Sequence, residues 1–268
     1  MVNSTQFKAS FKKEWLEIVR ENKLLSYLLL ALGFMTLNMV FQTAFETIIF
    51  SNWFGEKSSM SNWYFSQASF NSFLLGINMI VVLFLNRNVV TRELTEKKLA
   101  VPLSLGLKAS INITAKMLMQ VLVPSAIALF ASLANACLTA LFLKNTPVVL
   151  GNFGVVSIGF STMIYSALCV FVTMVIMMTV LLALQALIRN ANIALILTLV
   201  ILLLGDNLAD VLGVSAFTPV AFYSYAMQLA SAATLSQMVL SSLITISVVI
   251  LTAVAGVLVY TDRNDFAL

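Results

Sequence analysis

The chain has 268 residues, 60% of them hydrophobic and 10% charged, with a formal net charge of +4 and a mean hydropathy of +0.99. Soluble domains carry about 25% charged residues, so this composition excludes a water-soluble globular fold and predicts an integral membrane protein. The absence of histidine removes the commonest metal ligand and the commonest neutral-pH base, so neither a metal centre nor histidine-based catalysis is expected.

Residues 7–22, FKASFKKEWLEIVREN, set Phe7, Phe11, Trp15, Ile18 and Val19 at helical spacing, with Lys8, Lys12, Lys13, Glu17 and Arg20 largely on the remaining surface. The pattern predicts an amphipathic elbow helix lying in the membrane interface through Phe11, Lys12, Trp15 and Arg20. Such a helix serves as an anchor, or as an anchor that also touches a cytoplasmic partner.

Six apolar runs follow, near 24–50, 69–90, 111–143, 155–188, 192–204 and 238–260. About 20 helical residues cross the hydrocarbon core, and all but the fifth run reach that length. The third and fourth exceed it, so they should tilt, kink or protrude, with Pro124 the candidate kink. The first run follows a charged segment too long for a signal-peptide n-region, so it is expected to stay in the mature protein. Cys137 and Cys169 fall inside apolar runs and read as buried free thiols.

The fifth run is short, and Gly205-Asp206 is read as its end. Residues 205–237 are semi-polar and hold Phe217, Phe222, Tyr223 and Tyr225, which predicts one or two short helices dipping back into the outer leaflet. Of the 15 lysines and arginines, all but Lys57 and Lys144 fall on one face of a six-span layout. By the positive-inside rule that face is cytoplasmic, and both termini lie on it. The whole chain, 1–268, reads as one transmembrane domain.

The cytoplasmic stretch 91–104, TRELTEKKLAVPLS, gathers Arg92, Glu93, Glu96, Lys97 and Lys98 beside Leu94 and Leu99, and Pro102 ends or bends it. Topology needs only positive charge. Mixed charge with an apolar edge suits docking into a groove on another protein. A nucleotide-binding loop is missing: the nearest match, GVVSIGFS at 154–161, has Phe160 where the lysine belongs.

Polar residues inside the runs are candidates for a transport path. They are Asn38 and Gln42 in the first run, Asn71 and Asn78 in the second, and Asn192 and Thr198 in the fifth. The short fifth run draws that path toward the second and fifth spans. Glu46 has a structural role or one in gating or cation binding, and the roles of Asp206 and Asp210 stay open. Ala128, Ser132, Ala136 and Ala140 form a small-residue stripe for close helix packing. Met174, Met177 and Met178 fill gaps or offer an adaptable peptide surface.

This layout resembles the permease subunits of ABC-2 type (type V-like) exporters: an amphipathic elbow helix, six spans, a coupling helix between spans two and three, and re-entrant helices between spans five and six. The order Arg92-Glu93, Leu99, Pro102, Ser104, Lys116 is similar to that family's loop, although TEKK replaces its Gly-Thr pair. The resemblance implies an all-α, multi-pass protein of the bacterial cytoplasmic membrane. It implies a non-catalytic chain that binds no cofactor, the ATP and Mg belonging to two copies of a separate ABC ATPase. Arg92, Glu93, Glu96, Lys97, Lys98, Leu99 and Pro102 would dock into that ATPase, and a second permease copy or paralogue would complete the path. The implied cargo is an amphipathic peptide, of the phenol-soluble-modulin or antimicrobial kind, or a lipophilic molecule; no nucleic-acid partner is expected. Drug or lantibiotic-immunity efflux in the same family, a stand-alone carrier or channel, and a membrane enzyme are the other readings.

Overall fold

A computed structural model describes residues 4–45, 74–95, 108–142, 160–211, 247 and 250–261. Among them every element is helical: α1 (Ser4–Arg20), α2 (Lys23–Phe45), a π-helical turn (Leu74–Asn78) leading into α3 (Met79–Leu85), α4 (Val89–Thr95), α5 (Ala109–Phe142), α6 (Phe160–Ile188), α7 (Ala191–Val211) and α8 (Ile250–Thr261). Three contain windows long and apolar enough to cross a membrane: Lys23–Val40, Ala109–Leu138 and Val170–Ile188. The protein is therefore a membrane-embedded helical bundle. Glu46, Lys57, Asn71, Glu96, Lys97, Lys98, Leu99, Pro102, Lys144, Arg263 and segment 212–246 lie outside the described residues.

The bundle is built on α5 and α6. Val170, Met174, Met178, Leu181 and Leu182 of α6 pack with Ile113, Met117, Val121 and Ala128 of α5 in one buried cluster. The methionines thus include core packing among their roles. Ala128, Ser132 and Ala136 of the small-residue stripe are buried, as close packing requires. The last helix comes in closest at Gly256, where a Cβ would lie 2.8 Å from Met117 Cε and 3.3 Å from the Ala183 backbone. By contrast α2 presents Leu25, Leu29, Leu32 and Leu37 outward, as a helix facing lipid must.

Three expectations are corrected. First, the second apolar run is not one continuous helix, because Asn86–Asn88 form a turn between α3 and α4. The Asn86 side chain donates to the Val82 carbonyl at 2.8 Å and competes with the next helical turn. Second, α7 continues through Gly205-Asp206 to Val211. One helical glycine costs about 1 kcal/mol, too little to end a helix that lacks a proline. Third, Cys137 is a free thiol exposed on the bundle surface rather than buried. Pro124 lies inside α5, where its missing N–H leaves the Gln120 carbonyl without its helical donor.

The joint between α1 and α2 is tight. Asn22 adopts φ 56°, a left-handed conformation that asparagine tolerates, and Asn22 N–H donates to the Val19 carbonyl at 3.1 Å. The Asn22 carbonyl then accepts from Ser26 N–H at 2.9 Å, so α2 starts at once. This joint holds α1 across one end of the bundle, where it packs chiefly on α5.

Candidate functional site

The outward face of α1 carries Phe11, Trp15, Leu16 and Val19, each between 39% and 55% exposed. Phe7 and Phe11 touch, with ring centroids 6.1 Å apart. Lys12 and Arg20 are exposed as well. This is the apolar and basic surface expected of an interfacial helix. Ile18, assigned by its spacing to that same face, is fully buried. It belongs to the opposite stripe, Ser10, Glu14 and Ile18, which faces the bundle.

That inner stripe delivers a carboxylate to a buried amine. Lys116 of α5 is 1% exposed, and its Nζ lies 2.9 Å from Glu14 Oε2, 3.1 Å from Glu93 Oε1 and 3.5 Å from Glu17 Oε2. Lys13 approaches from the rim, 3.5 Å from Glu14 and 3.7 Å from Glu93. Tyr260 of α8 donates its hydroxyl to Glu93 Oε2 at 3.2 Å. Four helices, α1, α4, α5 and α8, therefore meet at one charged node. Burial is the largest influence on the Glu14 carboxyl and pushes it above its ordinary value; Lys116 pulls it back, and Glu93 and Glu17 push it up again. Acidic groups outnumber amines here, so the node favours holding a proton on a carboxyl.

A second, uncharged bridge lies at the α3–α4 turn. Gln185 of α6 donates its amide to the Asn86 carbonyl at 2.8 Å and accepts from Val90 N–H at 2.8 Å. The helix break leaves Val90 N–H without a helical acceptor, and in a membrane it needs a substitute, whereas the Asn86 carbonyl also accepts from Val89 N–H at 3.3 Å. The Tyr27 hydroxyl of α2 pairs with the Asn86 side chain at 3.0 Å.

Beside the node is a cavity of about 840 Å³. Glu17 and Glu21 of α1, Lys23 of α2, Arg92 of α4 and Arg189 at the α6–α7 turn border it. Glu21 bridges Lys23 at 2.9 Å and Arg92 at 3.5 Å. Burial alone would raise the Glu21 carboxyl, but the hydrogen bond from Lys23 and the charges of Lys23 and Arg92 outweigh it and hold the group below its usual value. Comparison with protein-family models, with curated proteins and with solved structures finds no match.

The remaining expected residues are dispersed. Asn38 is buried and donates to Asn135 of α5 at 3.2 Å. Thr198 is buried and turns its hydroxyl back to the Ala194 carbonyl. Asn78 is buried in the π-helical turn, Gln42 lies near the end of α2, and Asn192 is exposed in the first turn of α7. Asn38, Asn78, Asn192 and Thr198 do not line the cavity. Of the docking stretch, Arg92 borders the cavity, and Glu93 points into the node. Among the described residues, no group of three or more acids or cysteines could hold a metal ion.

Sequence reasoning missed Glu14, Asn86, Lys116 as a bridge and Gln185. One signal was available for Glu14. Positions 10, 14 and 18 recur every four residues and form a stripe of their own, distinct from the aromatic one.

Proposed function

We propose that this chain is the transmembrane permease subunit of an ATP-driven ABC-2 type exporter, with six spans, re-entrant helices within 205–237 and a separate ATPase on the cytoplasmic side. The supporting observation is the node at Lys116. It ties the interfacial helix α1, the helix α4 that leads into the docking stretch, the long span α5 and the last helix to one point. A push on residues 91–104 then reaches the bundle through Glu93 and Lys116 rather than being lost in a loose loop. Two permeases and two ATPases form the working unit: ATP binding draws the docking stretches together, the seam opens outward, and hydrolysis resets it. The cargo is an amphipathic peptide, and the lipophilic exterior with few charges suits it better than a polar solute.

The test is purification in mild detergent from the native host, with co-purifying proteins identified by mass spectrometry. The companion variant reverses Glu96, Lys97 and Lys98 and leaves the buried Glu93 alone. An ATPase that is stoichiometric with the chain and lost from the variant is the expected result. If crosslinking recovers no ATPase, the reading is wrong.

A second reading has its own support, since buried carboxylates beside a buried lysine are the raw material of a proton-coupled carrier. Proteoliposomes holding this chain alone separate the two. Uptake driven by a pH gradient without ATPase favours the carrier.

A further inference from the structure

The cavity beside the node has no role in the coupling mechanism, and its position, charge and surroundings converge on one ligand. Its position comes first. Lys23 opens the apolar window of α2, Arg189 follows the last residue of the α6 window, and Glu21 sits in the turn after α1. At α2 and α6 the cavity thus lies where the apolar windows stop, which is the headgroup level of a bilayer, while Lys116 and Gln120 border it from within the α5 window. At about 840 Å³ it falls within the size range of small-ligand sites.

Charge comes next. Lys23, Arg92, Lys116 and Arg189 face Glu17 and Glu21 across the cavity. The node and the cavity share Lys116 and Glu17, so their charges count together: Lys13, Lys23, Arg92, Lys116 and Arg189 stand against Glu14, Glu17, Glu21 and Glu93, an excess of one positive charge. Arg189 is exposed, and among the described residues its guanidinium has no partner. A neutral polar surface completes the wall. Gln120 is 1% exposed, borders the cavity, and its amide oxygen has no hydrogen-bond partner among the described residues. A buried amide in that state calls for a donor supplied from outside the chain.

On either side, rows of exposed leucine and isoleucine lead away from the cavity. Leu25, Leu28 and Leu29 begin one turn beyond Lys23, and Ile193, Ile196 and Leu197 begin just beyond Arg189. Such rows are surfaces for acyl chains.

We propose that this cavity holds the headgroup of a singly charged phosphoglycerol lipid. The phosphodiester sits between Arg189 and Arg92, a glycerol hydroxyl donates to Gln120, and the acyl chains lie along the leucine row of α2 and the isoleucine row of α7. A phosphodiester carries the single negative charge that balances the lining, and its hydroxyls supply the donors that a choline headgroup lacks.

The test uses the full chain in nanodiscs of phosphatidylcholine doped with phosphatidylglycerol, with retained lipid read by native mass spectrometry and stability by thermal shift. Soluble glycerol phosphate forms a separate arm. Arg189→Asn is the main variant, because asparagine accepts the φ of 58° at this position. Arg189→Lys keeps the charge, and Lys108→Ala removes an exposed cation that does not border the cavity. Loss of one charge-assisted contact predicts about tenfold weaker retention of phosphatidylglycerol in Arg189→Asn. Arg189→Lys should recover most of it, and Lys108→Ala should match the unaltered chain. Equal retention of phosphatidylcholine and phosphatidylglycerol overturns the proposal, as does an equal loss in Arg189→Asn and Lys108→Ala. An equal thermal shift with glycerol phosphate alone overturns the lipid assignment and leaves a soluble phosphoester site.

Discussion

Helix α4 is held by two bridges of opposite chemistry. At Glu93 the bond is ionic, made to Lys116 with Glu14, Glu17 and Lys13 around it. At Val90, less than one helical turn away, it is neutral: the Gln185 amide completes backbone hydrogen bonds that the turn at Asn86 left open. The ionic bridge depends on charge balance, so it responds to protons. The neutral bridge depends on geometry, so it fixes where the break sits. One bridge makes α4 adjustable and the other makes it well defined.

The largest expected effect comes from breaking the ionic bridge on its basic side. Lys116→Met leaves the buried Glu14 and Glu93 with only the half-exposed Lys13 beside them, and removing one partner of a buried pair costs about 3–5 kcal/mol. Thermal unfolding should show that loss, and limited proteolysis should show α1 released from the bundle. Next is the neutral bridge. Gln185→Leu strands the Val90 N–H, an unsatisfied group costing about 1–3 kcal/mol, while the Asn86 carbonyl keeps Val89 N–H. If Gln185→Leu destabilises more than Lys116→Met in the same detergent, the ranking inverts and geometry outweighs charge at α4. Tyr27→Phe removes both side-chain hydrogen bonds to Asn86, the one its hydroxyl donates at 3.0 Å and the one it accepts at 2.8 Å, and should cost about 1–2 kcal/mol.

The smallest effect is the most diagnostic of the difference between the bridges. A carboxyl raised above its ordinary value of 4.5 contributes stability that is complete below that value and lost as pH rises through the raised one. Glu14 thus makes the fold less stable with rising pH in that window, whereas the lowered Glu21 carboxyl acts in the opposite sense and loses its contribution as pH falls. Glu14→Gln removes the first component while restoring balance between Lys116, Lys13, Glu93 and Glu17. Its melting temperature should stay near that of the unaltered chain and follow pH with the sign of Glu21 alone. A pH profile identical to that of the unaltered chain would remove Glu14 as the titrating member of the node.

The legibility of these features divides along physical lines. Apolar runs are long-range statistical signals, so the three membrane-length helices were readable from composition and length. The outward face of α1 was readable because aromatic residues recur on it. Glu14 escaped because a buried glutamate looks like a solvated one until its partner is known, and that partner, Lys116, is about a hundred residues on. It had been counted as a topology signal. Gln185 looked like a lone polar residue near the end of an apolar run, since its purpose depends on a helix break that Asn86 makes elsewhere. Gly205-Asp206 erred the other way: two residues that commonly punctuate a helix did not outweigh the apolar helix before them. Local pattern fixes the elements, and pairing between distant elements decides which polar residues are structural.

The Gln185 bridge also has a consequence in time. A chain made from its N-terminus exposes Asn86 and Val90 long before Gln185, which follows them by 99 and 95 residues. Until α6 arrives, the turn between α3 and α4 has a backbone N–H, that of Val90, which lipid cannot satisfy. The second apolar run therefore has reason to wait at the water-facing edge, or to enter as an unbroken helix and open later. Its final shape is completed only when a later helix reaches it, so the order of synthesis becomes part of how this break is made.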